Sequence, residues 1–183
     1  LQEAGQLMMR RNLSKLETIL GDYEPEDEKH YRKLREIDID EFYYAKIERV
    51  TQKDGKPVVM LDFGLPKGII PYESLVRYAK LLDVAIPIGY EKRLKDLLSK
   101  LRPGQVVYVE AREYDKDTHY GIFEMSRRPD ISGGLVALDE GEVRTLVSGF
   151  DPHGYNRAIF ATRQPGSVFK SVAYYAGLQL GWT

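Results

Sequence analysis

In the octet RQPGSVFK (163–170), Ser167 and Lys170 stand three residues apart behind the pair Pro165-Gly166. A serine hydroxyl has far too high a pKa to attack a carbonyl unaided, so a nucleophilic serine needs a base beside it. Lysine serves where burial or neighbouring positive charge lowers its pKa toward neutrality. On a helix, positions i and i+3 share a face, which brings Ser167 and Lys170 within hydrogen-bond reach. The Pro-Gly pair sharpens the entry and sets Ser167 at a helix N-terminus. Free N–H groups and the helix dipole there favour a developing negative charge. The pattern suits serine acyl transfer. Taken alone, it is weak evidence and more often marks an N-cap serine followed by an exposed lysine.

Other chemically capable residues are scattered. Cysteine is absent, which excludes disulfides, thiolate metal sites and cysteine nucleophiles. His30, His119 and His153 lie far apart without ligand spacing, so no metal or cofactor site is expected. Asp38, Asp40 and Glu41 alternate in a strand-like stretch, as an acid–base pair or as a solvated strand face. Arg157 and Arg163 either counter charge near Ser167 or hold the 149–166 loop against its helix. The acidic DYEPEDE (22–28) reads as a solvated connection rather than a cation site.

The elements that must position these residues follow from patterning. Of 183 residues, 43% are hydrophobic and 30% charged, a globular composition. A net charge of -1 gives no overall field for nucleic acid or an acidic membrane. No apolar run approaches the ~20 residues that span a bilayer. The chain starts at Leu1 without a signal peptide, and we read it as a piece of a longer protein.

Residues 1–20 predict a helix with one apolar stripe: Ala4, Leu7, Met8, Leu13, Leu16, Ile19 and Leu20. Five short strands are expected, in EFYYAKIERV, PVVMLDFG, KGII, QVVYVEARE and HYGIFEMSRR, with a turn at Asp54-Gly55. Helices near 73–82 and in EKRLKDLLSKL fall between the third and fourth. That is the pattern of a small OB-type barrel. After Pro129, GGLVALDE and GEVRTLVSGF predict a hairpin. Residues 167–180 predict a helix apolar nearly all round, and hence buried.

Read together, RQPGSVFK, GFDPHGYNRA (149–158) and the hairpin resemble the start of the transpeptidase domain in class A penicillin-binding proteins. LQEAGQLMMRRNL resembles the helix that follows their glycosyltransferase domain. LRPGQVVYVEARE and FEMSRRPDISGGLVALD resemble the exit from their OB-like insert. The resemblance implies an α+β fold, with a five-stranded OB-like barrel inserted into the N-terminal part of a transpeptidase domain. It divides the chain into a first transpeptidase helix (1–22), a linker (23–40), the insert (41–130) and a truncated transpeptidase segment (131–183).

It further implies Ser167 as nucleophile and Lys170 as candidate base. The parent would cross-link peptidoglycan stem peptides through an acyl-enzyme, be trapped by β-lactams, and use a lipid-linked precursor in an upstream glycosyltransferase domain. It would be extracytoplasmic and anchored in the cytoplasmic membrane by a segment preceding Leu1. The family's Ser-x-Asn and Lys-Thr-Gly motifs are expected beyond Thr183, leaving this piece inactive alone.

On that reading the first helix lays Leu7, Leu13, Leu16 and Leu20 against the hairpin near Leu135, Val136 or Ala137, and Val147. The insert is expected to dock peptidoglycan or cell-wall assembly proteins, or equally to serve as a spacer, and to bind no nucleic acid. The rival is an RNA-binding OB module of ribosomal-protein type, using Tyr43, Tyr44, Phe63 and Tyr72 as a stacking platform.

Overall fold

The computed structural model describes residues 2–150, 154–162 and 164–182. It opens with helix α1 (Gln2–Leu20). Strands β1 (Phe42–Lys53), β2 (Lys56–Asp62) and β3 (Lys67–Ile70) follow. Helices α2 (Tyr72–Ala85) and α3 (Tyr90–Lys100) lead into β4 (Val106–Asp115) and β5 (Tyr120–Ser126). A hairpin of β6 (Leu135–Asp139) and β7 (Glu142–Val147) comes next, then the short α4 (Arg157–Phe160) and α5 (Phe169–Gln179).

The expected α+β architecture is present. Strands β1-β2-β3-β5-β4 form a closed barrel, with β1 antiparallel to β4 and β3 parallel to β5. Two helices between the third and fourth strands and this strand order fit an OB-like barrel. Asp54 (φ 52°) and Gly55 (φ 74°) form the β1–β2 turn, and Glu140 (φ 51°) and Gly141 (φ 84°) the β6–β7 turn. Two left-handed central residues match the twist of the flanking strands. Alternate side chains fill the barrel, among them Ala45, Ile47, Val59, Leu61, Val107 and Val109, with Phe63 and Phe123 rings 4.5 Å apart. Leu75, Tyr78 and Ala79 of α2 and Leu94 and Leu97 of α3 join that core.

Strand β4 is buried on both faces from Val106 to Ala111. Its second face is covered from outside the barrel, and the covering corrects two sequence expectations. The stretch 22–28 is not simply solvated. Tyr23 enters the core, and Glu26 N–H donates to Val106 O at 2.9 Å. Burial, the dominant influence on Glu26, raises its carboxyl above the ordinary value.

Helix α1 is also rotated from its predicted stripe. Met8, Leu16 and Leu20 are exposed, whereas Ser14 and Thr18 are buried. Gln2, Gln6, Arg10, Ser14 and Glu17, at spacings of three or four, each serve a neighbouring segment. Gln2 pairs with the backbone of Leu146, and Gln6 donates to Gly149 O at 2.7 Å. Ser14 Oγ lies 2.5 Å from Ser126 Oγ and donates to Arg127 O at 2.7 Å. Glu17 accepts from Asp130 N–H at 3.2 Å. Hydrogen bonding to backbone edges outweighs apolar patterning here, because unpaired N–H and C=O groups there would be costly.

The helix contacts the hairpin, and Gly5 is a point of close approach. A methyl on Gly5 would lie 3.0 Å from Thr145 Cγ2 and 3.2 Å from Val147 Cγ2. Of the expected hairpin contacts, Val147 is fully buried beside Gly5, whereas Leu135 and Val136 are each almost half exposed.

Candidate functional site

Pro165 (φ -65°, ψ -18°) leads into a single 3-10 turn, Gly166–Val168, that continues as α5. Gly166 has φ +56°, with open space where a Cβ would stand, so the backbone conformation is what suits glycine there. Ser167 sits inside this turn, and Lys170 is the second residue of α5. Residues three apart eclipse in a 3-10 turn, so the entry aligns the two positions on one side. Phe169 N–H donates to the carbonyls of Gly166 and Ser167. The N–H groups at the start of the turn have no helical acceptor behind them.

Both side chains are exposed, and among the described residues neither makes a hydrogen bond or ion pair. The expectation of a buried α5 is overturned. Phe169, Tyr174, Leu178 and Trp182 are between 57% and 72% exposed. Within this segment Trp182 folds back beside Gly177, and Gln179 Nε2 donates to Tyr175 Oη at 3.1 Å. An apolar helix is buried only where another element covers it, and none among the described residues does.

Arg157 donates to the carbonyl of its near neighbour Tyr155 at 3.4 Å and lies 5.7 Å from that ring. It therefore holds local structure beside Asn156, whose side chain caps α4 by accepting from Ala158 and Ile159 N–H. His153 and Arg163, with part of both quoted motifs, lie outside the described residues. His30 stacks on Tyr44 at 4.9 Å, and His119 Nδ1 is 3.1 Å from Tyr114 Oη.

Asp40 and Glu41 are neither an acid–base pair nor a free strand face. Arg10 Nη1 donates to both Glu41 oxygens at 3.0 and 2.8 Å, and Arg11 Nη2 reaches Asp40 at 2.7 Å. Arg10 also lies over Phe42 at 4.7 Å and Phe150 at 5.4 Å, joining the barrel to the segment before Ser167. Arg11 pairs with Glu110 of β4 as well. Burial pulls the Arg11 pKa down, but Glu110 and Asp40 outweigh it and leave it raised. Sequence reasoning missed this junction. Its one signal was Glu110 within the apolar run VVYVEA.

The stacking platform of the RNA-binding rival is not formed. Phe63 is fully buried in the barrel core, Tyr43 Oη accepts from Asp38 N–H at 2.9 Å, and Tyr44 Oη accepts from Arg128 at 3.0 Å. Among the described residues, no helix is long and apolar enough to cross a membrane.

No protein-family model matches the chain. Over 136 residues, 69% of its length, it is 40% identical to penicillin-binding protein 1A of Neisseria meningitidis serogroup A. The same figures hold for the Neisseria gonorrhoeae protein of that name. Over 67 residues, 34% of the chain, it is 43% identical to penicillin-binding protein 1A of Pseudomonas aeruginosa. The matches span 16% of the Neisseria proteins and 8% of the Pseudomonas protein.

Proposed function

Since the chain belongs to the penicillin-binding protein family, we propose that it is the part of a peptidoglycan-synthesising enzyme that carries the acylated serine. In this reading Ser167 Oγ attacks the carbonyl of a stem peptide's penultimate D-alanine. The alkoxide-like transition state gains from the open N–H groups of its turn. Lys170 is the candidate base that takes the hydroxyl proton. The terminal D-alanine leaves, and an amine from a neighbouring strand resolves the ester, completing D,D-transpeptidation. β-Lactams acylate the same oxygen.

The observation that carries this reading is the Pro-Gly entry that aligns Ser167 and Lys170, in a chain 40% identical to penicillin-binding proteins. The domain division follows from it: 1–22 and 131–183 belong to the transpeptidase unit, with 41–130 an OB-like insert reached through 23–40. α1 supports this division, because it hydrogen-bonds both the barrel and the hairpin segment. A glycosyltransferase domain using a lipid-linked precursor, a membrane anchor and an extracytoplasmic location belong to the proposed whole. The insert is the proposed docking surface for cell-wall assembly proteins.

Labelling with a fluorescent penicillin and a denaturing gel tests the assignment. The longer protein is expected to label, and Ser167→Ala to abolish the signal. The 183-residue chain, which contains no Lys-Thr-Gly after Ser167, is expected to stay dark. Equal labelling of the Ser167→Ala protein would sink the reading.

A further inference from the structure

A cleft of about 310 Å³ runs between α1 and the barrel. Helix α1 contributes Met8, Asn12 and Lys15, α2 contributes Leu81, and the barrel contributes Arg112 and Ser126. Its size lies at the lower end of small-molecule pockets, about 300–1,000 Å³, and junctions between units are where such pockets concentrate.

The charges in this cleft are unevenly satisfied. Glu110 is held by Arg11 and by Arg112 at 2.8 Å, and Glu124 by Arg77 at 2.8 Å and Arg112 at 3.5 Å. Lys15, by contrast, has no ion-pair or hydrogen-bond partner among the described residues, and neither does Asn12. Three cationic side chains against two carboxylates leave one positive charge. One surplus charge suits a monoanion, while Glu110 and Glu124 oppose a dianion such as phosphate. An ammonium and a guanidinium on opposite walls suit a carboxylate, and an unpaired amide beside them suits a peptide group. Met8 and Leu81 give an adaptable apolar wall for a small side chain.

We propose that this cleft binds the free carboxylate end of a short peptide. Lys15 and Arg112 hold the carboxylate, Asn12 pairs with the adjoining peptide group, and Met8 and Leu81 line the side chain. The site does not depend on acyl transfer at Ser167.

The test is a titration of the isotopically labelled 183-residue chain, followed by NMR, with N-acetyl-alanyl-alanine, its C-terminal amide, and inorganic phosphate in separate arms. The acid is expected to shift the backbone amides of Asn12, Lys15 and Ser126, and the C-terminal amide and phosphate to leave them in place. Lys15→Glu is expected to weaken the acid about tenfold, the scale of one charge-assisted hydrogen bond. Lys15 is exposed and unpaired, so the fold should survive, and the unchanged remainder of the spectrum reports that directly. Lys15→Gln should weaken binding less than Lys15→Glu. The proposal is overturned if the acid does not bind, binds no better than its amide or phosphate, shifts residues elsewhere, or binds Lys15→Glu equally well.

Discussion

Arg11 Nε donates to Glu110 Oε1 at 2.7 Å across 99 residues of sequence, and fixes the first helix to the fourth strand. The Glu110 side chain is only 8% exposed and also receives Arg112. Removing one member of a mostly buried pair leaves the other desolvated and alone. We expect Arg11→Ala to destabilise the chain by about 2 kcal/mol in urea unfolding, more than an exposed pair would. Lys29→Ala, which breaks the exposed pair with Asp27, is the control and should leave stability nearly unchanged. Equal effects from both substitutions would show that the junction is no stronger than a surface pair.

Glu26 gives a pH dependence with a definite sign. Its folded carboxyl is raised above 4.5, chiefly by burial. Below that value both folded and unfolded states are protonated and the group has no effect. As pH rises through the window above 4.5, only the folded state keeps the proton, so stability falls. Glu26→Gln should therefore melt higher than the parent at neutral pH, and the two curves should converge in acid. A lower Tm for Glu26→Gln at neutral pH would contradict this.

Gly68 and Gly121 face each other across the parallel β3–β5 pair. A methyl on Gly68 would sit 2.3 Å from Phe123 Cε2 and 2.5 Å from Gly121 O. The backbone oxygen cannot rotate away as a side chain can. Gly68→Ala is expected to lose roughly 2–3 kcal/mol, the upper range of core overpacking. Gly55→Ala, with nothing within 4 Å, should be milder and act only through its positive φ. Circular-dichroism melts of both variants decide it.

The barrel was legible because its strands carry their own signals. Asp54-Gly55 marked the turn, and the apolar stretches on either side of it read as strands. Helix α1 was legible as a helix but not in its orientation. The glutamines, Ser14 and Glu17 pair with backbone groups more than a hundred residues away, and Arg10 and Arg11 pair with the Glu41, Asp40 and Glu110 side chains. Periodicity of apolar residues reports burial against a hydrophobic face, and this helix is held by hydrogen bonds instead. For α5 the error ran the other way, since an apolar sequence states a need for cover without naming the element that supplies it. Ser167 and Lys170 were visible as a pattern because a turn residue and two reactive types coincide within six positions.

The barrel should not bind single-stranded RNA in a salt-sensitive way. Phe63 is in the core, and a net charge of -1 supplies few counterion-releasing contacts. Fluorescence anisotropy with a labelled oligonucleotide should show no saturation at physiological salt. Micromolar binding that weakens steeply as salt rises would restore the RNA-binding reading.

In the longer protein, Lys170 should act as a base and not merely as a positive charge. Both Lys170→Ala and Lys170→Arg are expected to slow β-lactam acylation by about 100-fold or more, the usual contribution of a positioned base. Arginine keeps the charge but does not deprotonate. Stopped-flow acylation across pH separates the roles. A Lys170→Arg protein with the parent's rate would limit the lysine to electrostatics.

The bond from Leu146 N–H to Gln2 spans 144 positions, which has a consequence for synthesis on the ribosome. Helix α1 leaves the ribosome before the barrel, whereas its partners at 126–149 follow the barrel. At about 5–20 residues per second, it waits on the order of ten seconds without them. Most of a helix's stability in a protein comes from tertiary packing, so α1 is weakly held until those partners arrive. The barrel can close during that interval and offer α1 Glu41 and Glu110, but α1 completes its docking only when 126–149 arrive, and for those seconds it stays open to proteases and chaperones.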